Sequence, residues 1–321
     1  MIGASEALVG RMALRASAQG ATAPPANWTP EVGEKMIRCL TATALLLACL
    51  ALAAGCRGAE GDPAQTEGTK MTVRKPLICL WQHQPQVDIT AQVKELGFNT
   101  VWTDDPEYTG QAWEDTQMYR ALQVPGIEHV IPKIERAAWG WTQESSVKSA
   151  KWIAELSLKH KEIIGLYLND FYDEIEDGHR TMEQWREIIA VAKSVNPDLD
   201  LWVPHYPHRG NENRPYDFDY QGVIFNIWDP GNIEGAERYL TQAEAQHKGK
   251  IVVGGLYLDS GAHGGHWLTE EEFRGLLRLY VRHINEGKLA GLRIFCACQL
   301  AEKPQYVQWA KEELAELKSA R

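Results

Sequence analysis

From residue 74 onward, short apolar runs alternate with stretches of helical spacing. Eight runs read as strands: Pro76–His83, Thr100–Asp105, His129–Ile134, Ile163–Phe171, Leu199–Tyr206, Gly222–Trp228, Ile251–Asp259 and Leu292–Gln299. Each is short and bounded by turn formers, as expected of a strand buried on both faces in a parallel sheet. Between them lie amphipathic stripes, among them Ile89, Val93 and Leu96, then Trp185, Ile188, Ile189 and Ala192, then Phe273, Leu276, Leu277, Tyr280 and Ile284. The punctuation agrees. Thr181 and Thr269 each stand three residues before Gln184 and Glu272, the spacing of a capping box, while Gly97, Gly287 and Asn196-Pro197 stop helices. Strand and helix alternating through residues 74–321 predict a single α/β domain, a (β/α)8 TIM barrel. A doubly wound open sheet is the alternative, but no Gly-rich phosphate loop follows the first strand. The fifth helix is the weak repeat, because Pro207–Tyr216 reads as a long loop.

In such a barrel the C-terminal strand ends converge on one mouth. Here they carry Trp81 and His83; Trp102, Asp104 and Asp105; Lys133 and Glu135; Asn169, Asp170, Asp173 and Glu174; His205 and His208; Asn226, Trp228 and Asp229; Asp259; and Gln299. Packing gives strands no reason to end in acids, amides and indoles. The chain has 12 tryptophans, and those on strand ends offer flat apolar faces suited to sugar rings, with polar neighbours for the hydroxyls. Lys133 and Glu135 are placed to pair with each other. His205 and His208 flank Tyr206-Pro207 near Arg209 and Arg214, a cationic subsite for sugar hydroxyls or a uronate. Their spacing does not mark a metal site, and no cofactor motif is present.

These strand endings, over residues 74–320, resemble the glycoside-hydrolase-like superfamily of (β/α)8 barrels. Retaining members often carry Asn-Glu at the end of strand four and Glu at the end of strand seven; Asn169-Asp170 and Asp259 stand in comparable places here. The chitinase-like alternation of acids along strand four is absent, with Tyr167 and Leu168 in its place. Glycosidic cleavage needs one carboxylic acid to protonate the leaving oxygen and a second carboxylate as nucleophile or base. The resemblance makes Asp170 the first catalytic candidate and Asp259 its leading partner, with Glu174 and Asp104 in reserve. Catalysis, substrate hydrogen bonding and helix capping are all open to Asp170. Strand alternation lets only one of Asn169 and Asp170 point inward; if that is Asn169, Glu174 gains. Trp81, His83, Trp102, Asp105, Asn169, His205, His208, Trp228, Asp229 and Gln299 are the expected substrate contacts.

Composition narrows the partners. With 24% charged and 44% hydrophobic residues the domain is ordinary, and a formal net charge of −10 argues against nucleic acid or an anionic membrane surface. Upstream, Met36-Ile-Arg38 and the apolar stretch to Ala54 end in Ala53-Ala-Gly-Cys56, which resembles the lipobox of bacterial lipoproteins, departing from its commonest form at Ala53. That resemblance implies a signal peptide over residues 36–55, lipid on Cys56, a tether over 56–73, and membrane attachment through the lipid alone, at the cell envelope. Residues 1–35 have a disorder-prone composition, and Met36 is the expected start. Cys79, Cys296 and Cys298 fall on the first and last strands, where buried thiols are expected and one bridge between those neighbouring strands is conceivable. The functional expectation is an exported hydrolase acting on an oligosaccharide or polysaccharide. The alternatives are a non-catalytic glycan-binding lipoprotein on a degenerate barrel, or a metal-assisted hydrolase.

Overall fold

A computed structural model describes residues 75–317 apart from 85, 106, 208–215, 228–229 and 260–265. Eight parallel strands close in sequence order, β1 (Leu77–Gln82), β2 (Thr100–Thr103), β3 (His129–Ile134), β4 (Leu166–Leu168), β5 (Leu201–His205), β6 (Gly222–Ile227), β7 (Ile251–Tyr257) and β8 (Gly291–Phe295). The first pairs with the last, Cys79 opposite Arg293 and Trp81 opposite Phe295. The expected (β/α)8 barrel is therefore the fold.

Helices cover the strands: α1 (Thr90–Leu96), α2 (Gln117–Leu122), α3 (Gln143–Lys159), α4 (Phe171–Glu176), α5 (Met182–Val195), α6 (Ala236–Gln246), α7 (Glu270–Asn285), α8 (Ala297–Glu302) and α9 (Pro304–Leu314). Both expected capping boxes form, Thr181 with Gln184 and Thr269 with Glu272. Gly97 ends α1 in the left-handed conformation that glycine adopts without a Cβ clash. Between β5 and β6 the described residues hold no α-helix; most of the expected loop, residues 208–215, lies outside them. Among the described residues, no helix is long and apolar enough to cross a membrane.

The fourth and eighth strands stop furthest short of their expected ends. The eighth strand stops at Phe295, and Ala297–Glu302 turns into α8, so Gln299 lies on a helix. Cys296 and Cys298 are joined to each other, against the expectation of buried thiols and in place of a bridge between the first and last strands; Cys79 is a buried free thiol as expected, pushed up to about 12 by burial. The fourth strand is also shorter than its apolar run, because Phe171 already begins α4.

The pleat sorts side chains into two cores. Outward residues such as Ile78, Leu80, Val101 and Leu168 pack under the helices. Inward residues Cys79, Trp81, Trp102, Ile131, Tyr167, Trp202, Ile224 and Val253 fill the barrel. Trp102 is the hub, 4.7 Å from the Tyr167 ring and 5.6 Å from the Trp202 ring, edge-on to each. Trp202 fits because its register partner on β6 is Gly222 and because Gly165 lies on its other side. A methyl at either glycine would overlap the indole. Gly222→Ala should therefore lower unfolding free energy by about 2 kcal/mol in urea titrations, the usual scale of core overpacking. Gly275→Ala on α7, where a Cβ meets open space, should be neutral or slightly stabilising.

Candidate functional site

Above the aromatic plug the strand ends enclose a cavity of about 190 Å³. It is lined by Trp81 on β1 and His83 just after it, Lys133 on β3 with Arg136 and Trp139 after it, Asn169, Asp170 and Asp173 after β4, Tyr206 after β5, Tyr257 on β7 and Phe295 on β8. Its walls are aromatic and its carboxylates are Asp170 and Asp173.

Asp170 has φ +47°, the one positive φ at a non-glycine position among the described residues. That conformation costs on the order of 1 kcal/mol for a residue with a Cβ and is concentrated at functional positions. It breaks the strand alternation, so Asn169 and Asp170 both reach the cavity. Asp170 occupies the N-cap position of α4 yet makes no capping bond. Its Oδ1 accepts from the Tyr206 hydroxyl at 2.9 Å, and Arg136 Nη1 stands 3.6 Å from Oδ2. Burial pushes the carboxyl above the usual range, while Arg136 and the Tyr206 hydroxyl pull it back.

Two cations organise the remaining acids. Lys133, with its side chain 4% exposed, pairs with Asp104 at 3.0 Å and with Glu135. Asp104 also accepts from Trp81 Nε1 at 2.5 Å and meets His83 Nδ1, which fixes the Trp81 wall. Glu135 accepts from Asn169 Nδ2 at 2.7 Å. Arg136 reaches Glu174 at 3.1 Å and Asp177 at 3.2 Å, and Glu174 also accepts from the Ala137 backbone at 2.7 Å. Glu174 is thus fully buried behind Arg136, anchoring the loop that carries Trp139. Trp139 is 59% exposed at the cavity rim, with Lys133 and Arg136 over its ring.

Of the residues expected at the mouth, the structure brings together Trp81, His83, Lys133, Asn169, Asp170 and Asp173, with Asp104 paired to Lys133, Trp81 and His83. Trp102 lies inside the barrel. Asp105 turns to α2, accepting from the Gln117 backbone at 2.6 Å, and burial raises it to about 6. Asp259 lies past the end of β7 in a bridge with Trp267 and does not line the cavity; Tyr257 holds the inward position at that strand end. His205 points away from the mouth into the helix layer, as the residue before the inward Tyr206 must, and its Nδ1 lies 3.1 Å from His247 Nε2. His208, Trp228 and Asp229 lie outside the described residues, as does Cys56. Among the described residues, no group of three or more His, Cys, Asp or Glu is arranged to hold a metal ion.

Tyr206 and Tyr257 are not among the expected contacts; parity from the inward Trp202 and Val253 points to both. Arg136, Trp139 and Asp173 lie beyond the strands, where parity says nothing.

No protein-family model matches the chain, and no curated protein matches it. Solved structures do. A β-D-glucuronidase of Dictyoglomus thermophilum aligns at 16% identity with TM-score 0.47, over 69% of this chain and 44% of its own. A β-glucuronidase of Bacteroides uniformis aligns at 14% with TM-score 0.49, over 69% and 30%. A family 18 chitinase of Crocus vernus aligns at 12% with TM-score 0.47, over 74% and 98%. This chain spans less than half the length of the two glucuronidases. Likenesses at this level extend to the barrel and no further.

The displaced histidine has its own consequence. His205 is lowered to about 3 by burial and by His247, and His247 to about 4 by burial and by Lys250. Below the unfolded value near 6.5 the unfolded chain takes up protons that the folded pair refuses, so this pair's contribution to stability falls as pH drops from about 6.5 toward 4. Denaturant melts of wild type and His205→Gln at pH 7.5 and 4.5 should show the gap between them moving in the variant's favour at the lower pH.

Proposed function

We propose that the mouth cavity holds one sugar ring and hydrolyses its glycosidic bond, with Asp170 as the proton donor. The observation that carries this reading is the Asp170 carboxyl itself. It is turned into an aromatic-walled cavity by a left-handed backbone, and burial favours its protonated form. Asp173, the other carboxylate lining the cavity, supplies the nucleophile or the base for water. Asp170 protonates the departing glycosidic oxygen, water adds at the anomeric carbon, and the water proton passes to carboxylate. Trp81, Tyr257 and Phe295 wall the ring, Asn169 and Lys133 meet its hydroxyls, and Trp139 offers an open indole face to the sugar on the leaving side. The carboxylate partner in this reading is Asp173 in place of Asp259, Glu174 or Asp104, since none of those three lines the cavity.

A second reading, a glycan-binding protein without turnover, draws on Tyr257 standing where strand seven was expected to deliver an acid. In either reading the chain is lipidated on Cys56 and held at a bacterial envelope membrane, as the Ala53-Ala-Gly-Cys56 pattern implies.

Asp170→Asn separates the two readings, because asparagine tolerates the left-handed backbone. On a panel of aryl glycosides and oligosaccharides it should lower kcat roughly 100- to 10,000-fold while calorimetry still detects the sugar; a wild type that binds but never turns over favours the binder. Trp139→Ala should raise KM for oligosaccharides about fivefold, from about 1 kcal/mol of lost stacking, and leave small aryl glycosides unaffected. Metabolic labelling with an alkynyl fatty acid should mark the full chain and fail on Cys56→Ala; equal labelling of both contradicts the anchor.

A further inference from the structure

Beneath the cavity floor Arg293 is fully buried on β8. Its described partners include the Asn226 amide, the Tyr257 and Tyr167 phenols and the Trp81 and Trp102 indoles. Nη2 donates to Asn226 Oδ1 at 2.8 Å and to the Tyr257 hydroxyl at 3.3 Å, and the guanidinium lies 4.5 Å from the Trp81 ring centre and 5.3 Å from that of Trp102. Placing a guanidinium here without a carboxylate is costly, and an aliphatic side chain would fill the space more cheaply. What the cation adds is direction. A guanidinium only donates, so the Tyr257 oxygen accepts from it and the Tyr257 proton points away. The Tyr206 oxygen is 3.5 Å from Tyr257, and the Tyr206 hydroxyl donates onward to Asp170 Oδ1 at 2.9 Å.

We propose that Arg293 is a positioning residue for Asp170, acting through the hydroxyls of Tyr257 and Tyr206. Each donation polarises the next, so all three point toward the carboxyl and support its ionised form. The chain also commits Oδ1 to accepting, which leaves Oδ2 to carry the transferable proton. Asp170 additionally faces Arg136, Lys133 and Glu135, with Asp173 on the same cavity, and Tyr167 faces both Tyr257 and Tyr206. Burial raises the Asp170 carboxyl, and the hydroxyl at the end of this chain opposes that rise. Only the functional consequence rests on Asp170 as the proton donor, since the wiring is a property of the free protein.

The test is a direct titration without substrate. In protein carrying ¹³Cγ-labelled aspartate, the Asp170 resonance is identified by its loss in Asp170→Asn and followed against pH. Tyr257→Phe, which removes one oxygen, should raise the Asp170 midpoint by about half a pH unit or more. Tyr306→Phe, which removes a buried hydroxyl bonded to Leu268 outside the chain, should leave it in place. If Arg293→Met folds by circular dichroism, its midpoint should rise at least as far. A Tyr257→Phe midpoint equal to wild type overturns the proposal whatever the Arg293 variant does, and so does an equal shift in Tyr306→Phe. Lack of turnover on any glycoside would sink the hydrolase reading and leave these midpoints unchanged.

Discussion

Eight parallel strands can close only around a filled interior, because a void on the axis would forfeit contacts on every wall at once. In this chain the filling is aromatic. Trp102 packs edge-on between Tyr167 and Trp202, and two glycines are spent to seat Trp202. The plug fixes how far each strand end projects above it, so it doubles as the floor of the mouth cavity. Arg293 is set into the same plug, bringing a positive charge to the floor rather than to the surface. The site above therefore inherits its geometry from the packing below.

Charge is arranged in the cavity wall with equal economy. Lys133 ties Asp104 to Glu135, and through them it holds Trp81 and Asn169; Arg136 ties Glu174 to the cavity edge and braces the Trp139 loop. Carboxylates paired in this way are held in one place. Asp170 differs in degree. Its guanidinium neighbour is at 3.6 Å, its hydrogen bond is to a neutral phenol, and burial dominates its ionisation. Environments that treat adjacent acids so differently are what acid–base chemistry requires.

The barrel was legible because burial on both faces leaves continuous apolar runs, and their ends could be read as polar clusters. The site was legible only in part, for three physical reasons. Alternation excludes His205 from the mouth, because Tyr206 beside it faces inward. Apolar runs continue past the strand ends, so Asp259 and Gln299 lie where the chain has already turned away from the mouth. A left-handed residue broke the rule at Asp170, and no local pattern announces that a non-glycine residue will adopt it. Lys133 and Glu135 were read as a pair and do pair; that Asp104 shares the same lysine needs the fold, since the partners come from different strands.

The central claim is that the Asp170 carboxyl faces a sugar ring seated on the aromatic floor. A crystal structure of the protein with an N-alkyl iminosugar, whose substituent marks the leaving side, tests it most directly. The account predicts the ring within the Trp81, Tyr257 and Phe295 walls, and a polar atom at the leaving position within about 3.2 Å of Asp170. A cavity empty at saturating ligand, or a ring bound with Asp170 turned away from it, would contradict the account.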